Sequence, residues 1–507
     1  MSKKVKQKKL TLLLPILVIV FYCLTHFFKL TLLPVFADES IYIRWSQLII
    51  DDWQQYAFFP LNDGKTPLHM WLMVPFLTFF KDPLFAGRFL SVLVGIMQVF
   101  VLAKIVKKLG GDRKSQLLSM LLVSILPFWY FHHRMALIDA FFTLLLSLSF
   151  GFALDVIKTK KVNHSRILLT GLFFGLALWT KIPAFLFTPV FFILILLPKK
   201  LKLKERMVLL AKLCVSLLIG LCVFMLLKLH PAFGQLFTRG GDFLYSISDL
   251  LAEGVLTVIV RNIRGFTGFL SMYLTWPVLA LSVLGMCIGK HQRTNKVLFL
   301  SALSFLAPVI LIGKVVYPRY LLPVSIFFTI AAILAWQDLF SYIKDKIFRL
   351  LLLPVFLLLV FYPSAKFIYY SLTDIAKIPF TEADKEQYLY EWSAGFGVKE
   401  TVEFIKEEAK DKTVIVATEG YFGTLPDAVL MYLHNQDVTN IFVEGIGQPV
   451  GRIPDDFKEK AKGYDQTLLV VNSHRMQMKL DKKYLLKEYC RPADAPCQQV
   501  WLLDLKK

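Results

Sequence analysis

LTLLLPILVIVFYCLTHFFKLTLLPVFADES (residues 10–40) is the stretch that decides how the whole chain is read. An almost wholly apolar run is followed at once by two carboxylates, Asp38 and Glu39. A bilayer is crossed by about 20 consecutive apolar residues in a helix. A span near 10–33 is therefore expected, with the acidic pair emerging at a membrane surface. Ionised groups beside hydrocarbon are costly and tend to mark function. The basic start KKVKQKK (3–9) before the run could suggest a secretory leader. The run is long enough to span and lacks a small-residue cleavage site, so it is expected to stay as a signal anchor.

The composition agrees with the opening. Of 507 residues, 56% are hydrophobic and 45 are Phe, against roughly 45–50% apolar in soluble domains. Further apolar segments near 84–106, 115–132, 136–157, 167–180, 183–198, 207–229, 266–289, 297–313, 320–337 and 350–371 bring the expectation to about 11 transmembrane helices. The net charge of +21 would suit a nucleic-acid binder. Its distribution argues for the positive-inside pattern instead. KKVKQKK, KKLGGDRK (107–114), KTKKVNHSR (158–166), KKLKLKER (199–206), KHQRTNK (290–296) and KDKIFR (344–349) all fall on one side of an eleven-span count. That side is cytoplasmic, which places the amino terminus inside, the carboxyl terminus outside, and the protein in the plasma membrane as a multi-pass chain. Lys181-Ile182-Pro183 breaks 167–198 into two short spans, or into one re-entrant unit; the parity is the same either way.

The outer face then receives a first loop of about 34–83, the turn His132-His133-Arg134-Met135 leading to Asp139, a long loop of about 230–265, and everything after residue 372. PLHMWLMVPFLTFF (67–80) is too short to span and reads as a helix lying in the interface. From about 375 charged residues return. TVIVATEG (413–420), IFVEG (441–445), TLLVVNS (467–473) and VWLLDL (500–505) read as strands, with helical patterns such as KETVEFIKEEAKD (399–411) between them. Strands alternating with helices predict a small extracytoplasmic α/β domain over 373–507, beyond a helical membrane domain over 1–372. Cys490 and Cys497 fall there, on the oxidising side, either as a disulfide closing CRPADAPC or as two thiols; Cys23, Cys214, Cys222 and Cys287 lie in spans as packing residues.

One outer carboxylate and several outer cations suit transfer of a sugar from a polyprenyl phosphate. The acceptor hydroxyl must lose a proton, which a carboxylate within hydrogen-bond reach can take. The lipid phosphate leaves as an anion, and cations hold it, Arg through its bidentate fork. Lys65, Arg88, Arg134, Lys181 and Arg319 are the cations expected at that rim. Each has a simpler role open to it. Asp38–Glu39 can cap a helix, Arg88 can anchor at the interface, Arg134 and Asp139 can pair through a turn, and Arg319 can anchor its span. Lys181 interrupts an apolar run, which makes a purely structural role expensive. Adjacent His132 and His133 rarely converge on one ion and have no third ligand at a persuasive spacing. No metal site and no required cofactor are expected.

In the order FADESIY (36–42), GKTPLHMWL (64–72), AGRFLSVLVG (86–95), HHRMALIDA (132–140), GLALWTKIPA (175–184) and PRYLLP (318–323), the chain resembles the membrane glycosyltransferases of the C-type superfamily, in particular the bacterial protein O-mannosyltransferase and aminoarabinose-transferase-like group. The resemblance implies a polyprenyl-phosphate-linked sugar as donor, a protein, lipid or glycan hydroxyl as acceptor, and an acidic residue of the first outer loop as base. Carried onto this sequence it implies Asp38 as general base with Glu39 beside it. It also matches Lys65, Arg88, Arg134, Asp139 and Lys181 to motif residues of the family; with Arg319, the cations among them are the expected donor-phosphate ligands, with Asp139 in support. Thr66 stands where the mannosyltransferases have Pro, and Arg44 comes later than the Arg that the aminoarabinose transferases carry three residues after the acidic pair. The carboxyl-terminal region shows no β-trefoil signature.

Two other classes compete. A lipid or saccharide transporter would carry charges near mid-membrane and paired broken helices, whereas the polar residues here gather at one rim. A non-catalytic scaffold would make the acidic pair incidental. The topology is directly testable: protease added to right-side-out membranes should remove residues 375–507 and spare the loop 107–114, and the reverse pattern would overturn the orientation.

Overall fold

The computed structural model describes residues 3–158, 162–343, 345–434, 436 and 438–505. The centre of the basic stretch 158–166 and Lys344 of KDKIFR lie outside the described residues. The chain divides into two compact units, one of residues 1–28, 57–69 and 89–369, the other of residues 29–56, 70–88 and 370–507.

The first unit is helical. Among the described residues of the whole chain, six helices are long and apolar enough to cross a membrane: Pro83–Lys108, Ile138–Lys158, Leu203–Leu229, Gln292–Ile312, Pro318–Tyr342 and Pro354–Thr373. A seventh span results if Val255–Tyr273 and Trp276–Leu284 count as one, although they meet at 109°. Thr275 sits between them at φ 65°, and Pro277 opens the second helix, so the first cannot continue. The first of this pair begins at Val255, well inside the expected outer loop of 230–265. Leu13–Phe27, His164–Leu178 and Ile182–Leu196 are apolar but shorter. The expected span 115–132 is two helices, Arg113–Ile125 and Pro127–His132, because Pro127 starts a new one. The structure thus puts helix at each of the eleven expected places, with six or seven reaching spanning length.

Small residues set the closest packing in this unit. On helix His164–Leu178, Gly171 and Gly175 face helix Leu203–Met225 at Gly220. A Cβ on Gly171 would stand 2.3 Å from the Ser216 carbonyl oxygen and 2.7 Å from the Ile219 Cβ. One on Gly175 would lie 2.8 Å from the Gly220 carbonyl oxygen, and one on Gly220 would lie 2.6 Å from the Phe174 ring. In lipid, water does not drive helices together, so such backbone approach is a main source of packing energy.

The second unit is built on an α/β sheet and takes in residues 29–56 and 70–88. Its strands are β1 (Val414–Thr418), β2 (Ile441–Gly445), β3 (Gln466–Asn472), β4 (Leu485–Tyr489) and β5 (Gln498–Leu503), in the order β2-β1-β3-β5-β4. β1 pairs in parallel with β2 and β3, β3–β5 and β5–β4 are antiparallel, and β1 is wholly buried. Four strands coincide with the sequence expectation. β4 does not, because its LLKEY lies at an edge with polar positions and no apolar alternation to betray it. The disulfide Cys490–Cys497 closes the turn between β4 and β5.

Helix Ala37–Asp51 packs on helix Asp427–Leu433 in this same unit. Gln47 donates to the Met431 carbonyl at 3.0 Å and Ser40 to the Gly423 carbonyl at 3.0 Å. Residues around Phe36 add backbone pairing with Ala394: Ala37 N–H to Ser393 O at 2.9 Å and Gly395 N–H to Val35 O at 2.8 Å. A division at residue 372 therefore does not follow the compact units, because the acidic segment shares a core with residues distant in sequence.

Gly175→Val and Gly220→Val should each cost about 1–3 kcal/mol through overpacking. Gly268→Val, where an added Cβ meets nothing within 4 Å, should be nearly neutral. Thermal unfolding of the three purified variants in one detergent checks this, and equal midpoints would remove the glycine contact as a packing determinant.

Candidate functional site

Asp38 and Glu39 occupy the first turn of helix Ala37–Asp51, where carboxylates meet the positive end of the helix dipole. Their surroundings differ. Glu39 is fully buried, and one of its oxygens accepts the Phe36 N–H at 3.0 Å, capping the helix. Arg88, 1% exposed, meets it in a bidentate pair, Nε to Oε1 at 2.8 Å and Nη2 to Oε2 at 2.7 Å. Arg88 also donates to the carbonyls of Leu30 at 3.0 Å, Leu33 at 2.8 Å and Pro34 at 3.1 Å. A guanidinium has five N–H donors, and these five bonds account for all of them. Arg88 thus acts on the fold: it ties residues 30–34 to the start of the helix and fixes Glu39. Asp38, next to this locked pair, is only half-buried.

A second polar cluster lies in the helical unit. Asp139 opens helix Ile138–Lys158 and is buried; Lys181 Nζ lies 2.7 Å from its Oδ1. Lys181 comes at the break after helix His164–Leu178, and its ammonium stands 4.9 Å from the centre of the Tyr320 ring. The Arg319 guanidinium lies 5.6 Å from the centres of both the Tyr317 and Tyr320 rings. It is close enough to Asp139 to act on its charge, as are Lys181 and His132. His69, fully buried at the head of helix Leu68–Phe79, also feels Asp139. Lys181 therefore pairs with this carboxylate, and Arg319 lies near enough to act on it.

The remaining cations sit elsewhere in that unit. Arg134 Nη1 donates to the carbonyls of Thr25 at 2.7 Å, His26 at 2.7 Å and Phe28 at 3.1 Å, which caps the carboxyl end of the first helix. Lys65 pairs with Asp63 at 2.9 Å, and Asp63 also takes Arg239 Nη1 at 2.9 Å on each oxygen. His132 bonds the Phe128 carbonyl through Nδ1 at 2.8 Å, while His133 lies beside Trp129 and Tyr22. Among the described residues, the group of three side chains close enough to share a metal ion is Glu488, Cys490 and Cys497, and its two sulfurs are already joined to each other.

The structure thus sorts the sequence candidates. Glu39 and Arg88 are brought together in one unit with Asp38 adjacent; Asp139, Lys181 and Arg319 are brought together in the other. Arg134 and Lys65 belong to separate contacts. Sequence reasoning did not single out Tyr317, Tyr320, His69 or the Asp63–Arg239 pair. Two tyrosines flanking Arg319 in YPRY were a legible hint, since cations favour aromatic faces. The Asp63–Arg239 pairing spans too much sequence to be read locally.

Residues 64–226 match a family model described as dolichyl-phosphate-mannose-protein mannosyltransferase. That segment includes Lys65, Arg88, Arg134, Asp139 and Lys181. No curated protein sequence matches the chain. Among solved structures, ArnT of Cupriavidus metallidurans bound to undecaprenyl phosphate has the same fold, with a TM-score of 0.61 at 15% identity over 97% of each chain. Its apo state gives 0.58 at 14% identity over 99% of each. The oligosaccharyltransferase AglB of Archaeoglobus fulgidus, in complex with an inhibitory peptide and a dolichol-phosphate, gives 0.51 at 12% identity, covering 92% of this chain and 70% of that one. Over residues 64–226 the chain is thus similar to the protein mannosyltransferase family, and over nearly its whole length it has the fold of ArnT.

Proposed function

We propose that this protein is an integral membrane glycosyltransferase that moves a sugar from a polyprenyl-phosphate donor to an acceptor hydroxyl on the outer face of the membrane. The observation that carries the reading is the gathering of Lys181 and Arg319 at the buried Asp139. Ionisable side chains gathered within an apolar helical protein are expensive and tend to mark function. The sharing of a fold with a structure holding undecaprenyl phosphate and another holding dolichol-phosphate makes a polyprenyl phosphate the natural anion. Eleven spans with the amino terminus inside complete the reading.

The reaction is a single displacement with inversion. The acceptor oxygen forms a bond to the anomeric carbon as the bond from that carbon to the phosphate oxygen breaks. The acceptor proton passes to Asp38, and polyprenyl phosphate departs with the electron pair. Lys181 and Arg319 hold the phosphate in both ground and transition states. Asp139 fixes the Lys181 ammonium, and Arg88 acts only through Glu39, as a positioning residue. A pure transporter would make no covalent product and is not favoured by these features.

Asp38→Asn should lower sugar transfer from labelled polyprenyl-phosphate sugars by about 10²–10⁴-fold, the usual worth of a general base, while the protein still inserts and melts normally. Unchanged transfer would move the base elsewhere. Lys181→Ala and Arg319→Ala should raise the donor KM more than they lower kcat; a kcat loss at constant donor affinity would contradict the phosphate role. Arg88→Ala should instead lose folded protein, because breaking a buried ion pair costs about 3–5 kcal/mol. An Arg88→Ala protein of wild-type stability would show that the pair does not hold the segment.

A further inference from the structure

The carboxyl ends of β1, β2 and β3 carry a second polar and aromatic surface. The chain leaves β1 for β2 on one side and then returns to β3 on the other, so the strand order reverses at β1. Ligands of open α/β sheets bind outside the carboxyl ends of the strands at such a point. Three turns meet there: EGYFG (419–423), GIGQP (445–449) and NSHR (472–475).

The turns are held rigidly. Gly420 N–H donates to the Gly447 carbonyl at 2.9 Å, and Ile446 N–H to the Thr418 carbonyl at 2.9 Å. Gly420 and Gly447 have φ of 73° and 94°, where a side chain would be strained. A Cβ on Gly445 would come 2.2 Å from the Gly420 carbonyl oxygen. Beneath lies the buried Glu419, which accepts the Asn472 N–H at 2.7 Å and its amide Nδ2 at 2.6 Å. Burial pushes the Glu419 carboxyl up, while the Asn472 donors, Arg475 and Arg491 draw it back. Buried Arg491 fixes the Asn472 Oδ1 at 2.5 Å and the Ala394 carbonyl at 3.0 Å.

On this floor stand groups that the transfer reaction does not use. The Arg475 guanidinium lies 4.3 Å from the centre of the Trp392 ring and 3.6 Å from Glu419, and it donates to the Gln448 side-chain oxygen. Trp392 itself rests against Gly423, and the Tyr421 ring lies over Gly447. Tyr421 is 71% exposed and Phe422 56% exposed, large values for aromatic side chains on a rigid turn. His474 and Glu391, 3.8 Å apart, complete the rim.

We infer that this end of the sheet is a saccharide-binding site, which takes the glycan part of the acceptor. The word acceptor rests on the transferase reading above; the binding of saccharide does not. Exposed aromatic faces stack on the C–H face of a pyranose, and the planar side chains of Gln448, Arg475, His474 and Glu391 match its neighbouring hydroxyls. The charge of Arg475 is already opposed by Glu419 and shared with Trp392, and His474 pairs with Glu391. A neutral, many-hydroxyl ligand therefore fits better than a phosphate.

The test uses the full-length protein in detergent on an array of immobilised hexose, amino-sugar and uronic-acid oligosaccharides. Wild type should bind at least one class, and Tyr421→Ala and Gln448→Ala should each weaken that binding about tenfold or more, the loss expected for an anchoring contact, with unchanged melting. The same variants should raise the acceptor KM and leave the donor KM alone. No binding by wild type, or equal binding by both variants, overturns the site. Binding that the variants lose, in a wild type that transfers no sugar, sinks the transferase reading and leaves the saccharide site standing. Transfer with the acceptor KM unmoved in both variants overturns the acceptor role of the site and leaves the transferase reading standing.

Discussion

The five hydrogen bonds of the Arg88 guanidinium are the constraint on which the acidic segment depends. An arginine and a glutamate taken wholly out of water are expensive, and their attraction offsets the cost only when every donor is satisfied. Here the fork meets Glu39 on two edges and three backbone carbonyls of residues 30–34 on the rest. The result is geometric. Residues 30–34 are drawn to the start of helix Ala37–Asp51, Glu39 caps that start, and Asp38 is set beside a fixed point while keeping part of its surface open. Of two adjacent carboxylates, Glu39 is buried in the pair with Arg88 while Asp38 is half-buried.

The helical unit solves a similar problem differently. Its closest helix contact is made by glycines, because in lipid only short distances give strong packing. The three members of its polar cluster lie where helices break or begin: Asp139 at a helix start, Lys181 at the break after Leu178, and Arg319 just before helix Leu322–Tyr342. Helix ends leave backbone groups unsatisfied, so irregular backbone and ionisable side chains tolerate each other there. Arg134 shows the structural use of the same rule, as it caps three carbonyls at the end of the first helix.

The sheet unit combines a buried floor with an exposed aromatic rim. Glu419, Asn472 and Arg491 bond one another at the carboxyl ends of the strands, and the glycines of two adjoining turns let the backbones interlock above them.

Much of this was determined by the sequence itself. Long apolar runs have one cheap environment, so the membrane character, the positions of the helices and the ordered motifs around Asp38, Arg88, Asp139 and Lys181 could be read from the residues. Period and composition also showed four of the five strands; β4 escaped because its LLKEY carries adjacent polar residues and no apolar alternation. Tertiary structure alone decided which charges pair. Whether Arg88 meets a phosphate or Glu39, or Arg134 a ligand or three carbonyls, depends on chain segments brought together across 49 and 109 positions, and local spacing carries no record of such closures. The same holds for the joining of residues 29–56 to the sheet at 370–507. Hydrophobicity sets where a segment dissolves, whereas hydrogen bonds between distant segments set what each polar group is free to do.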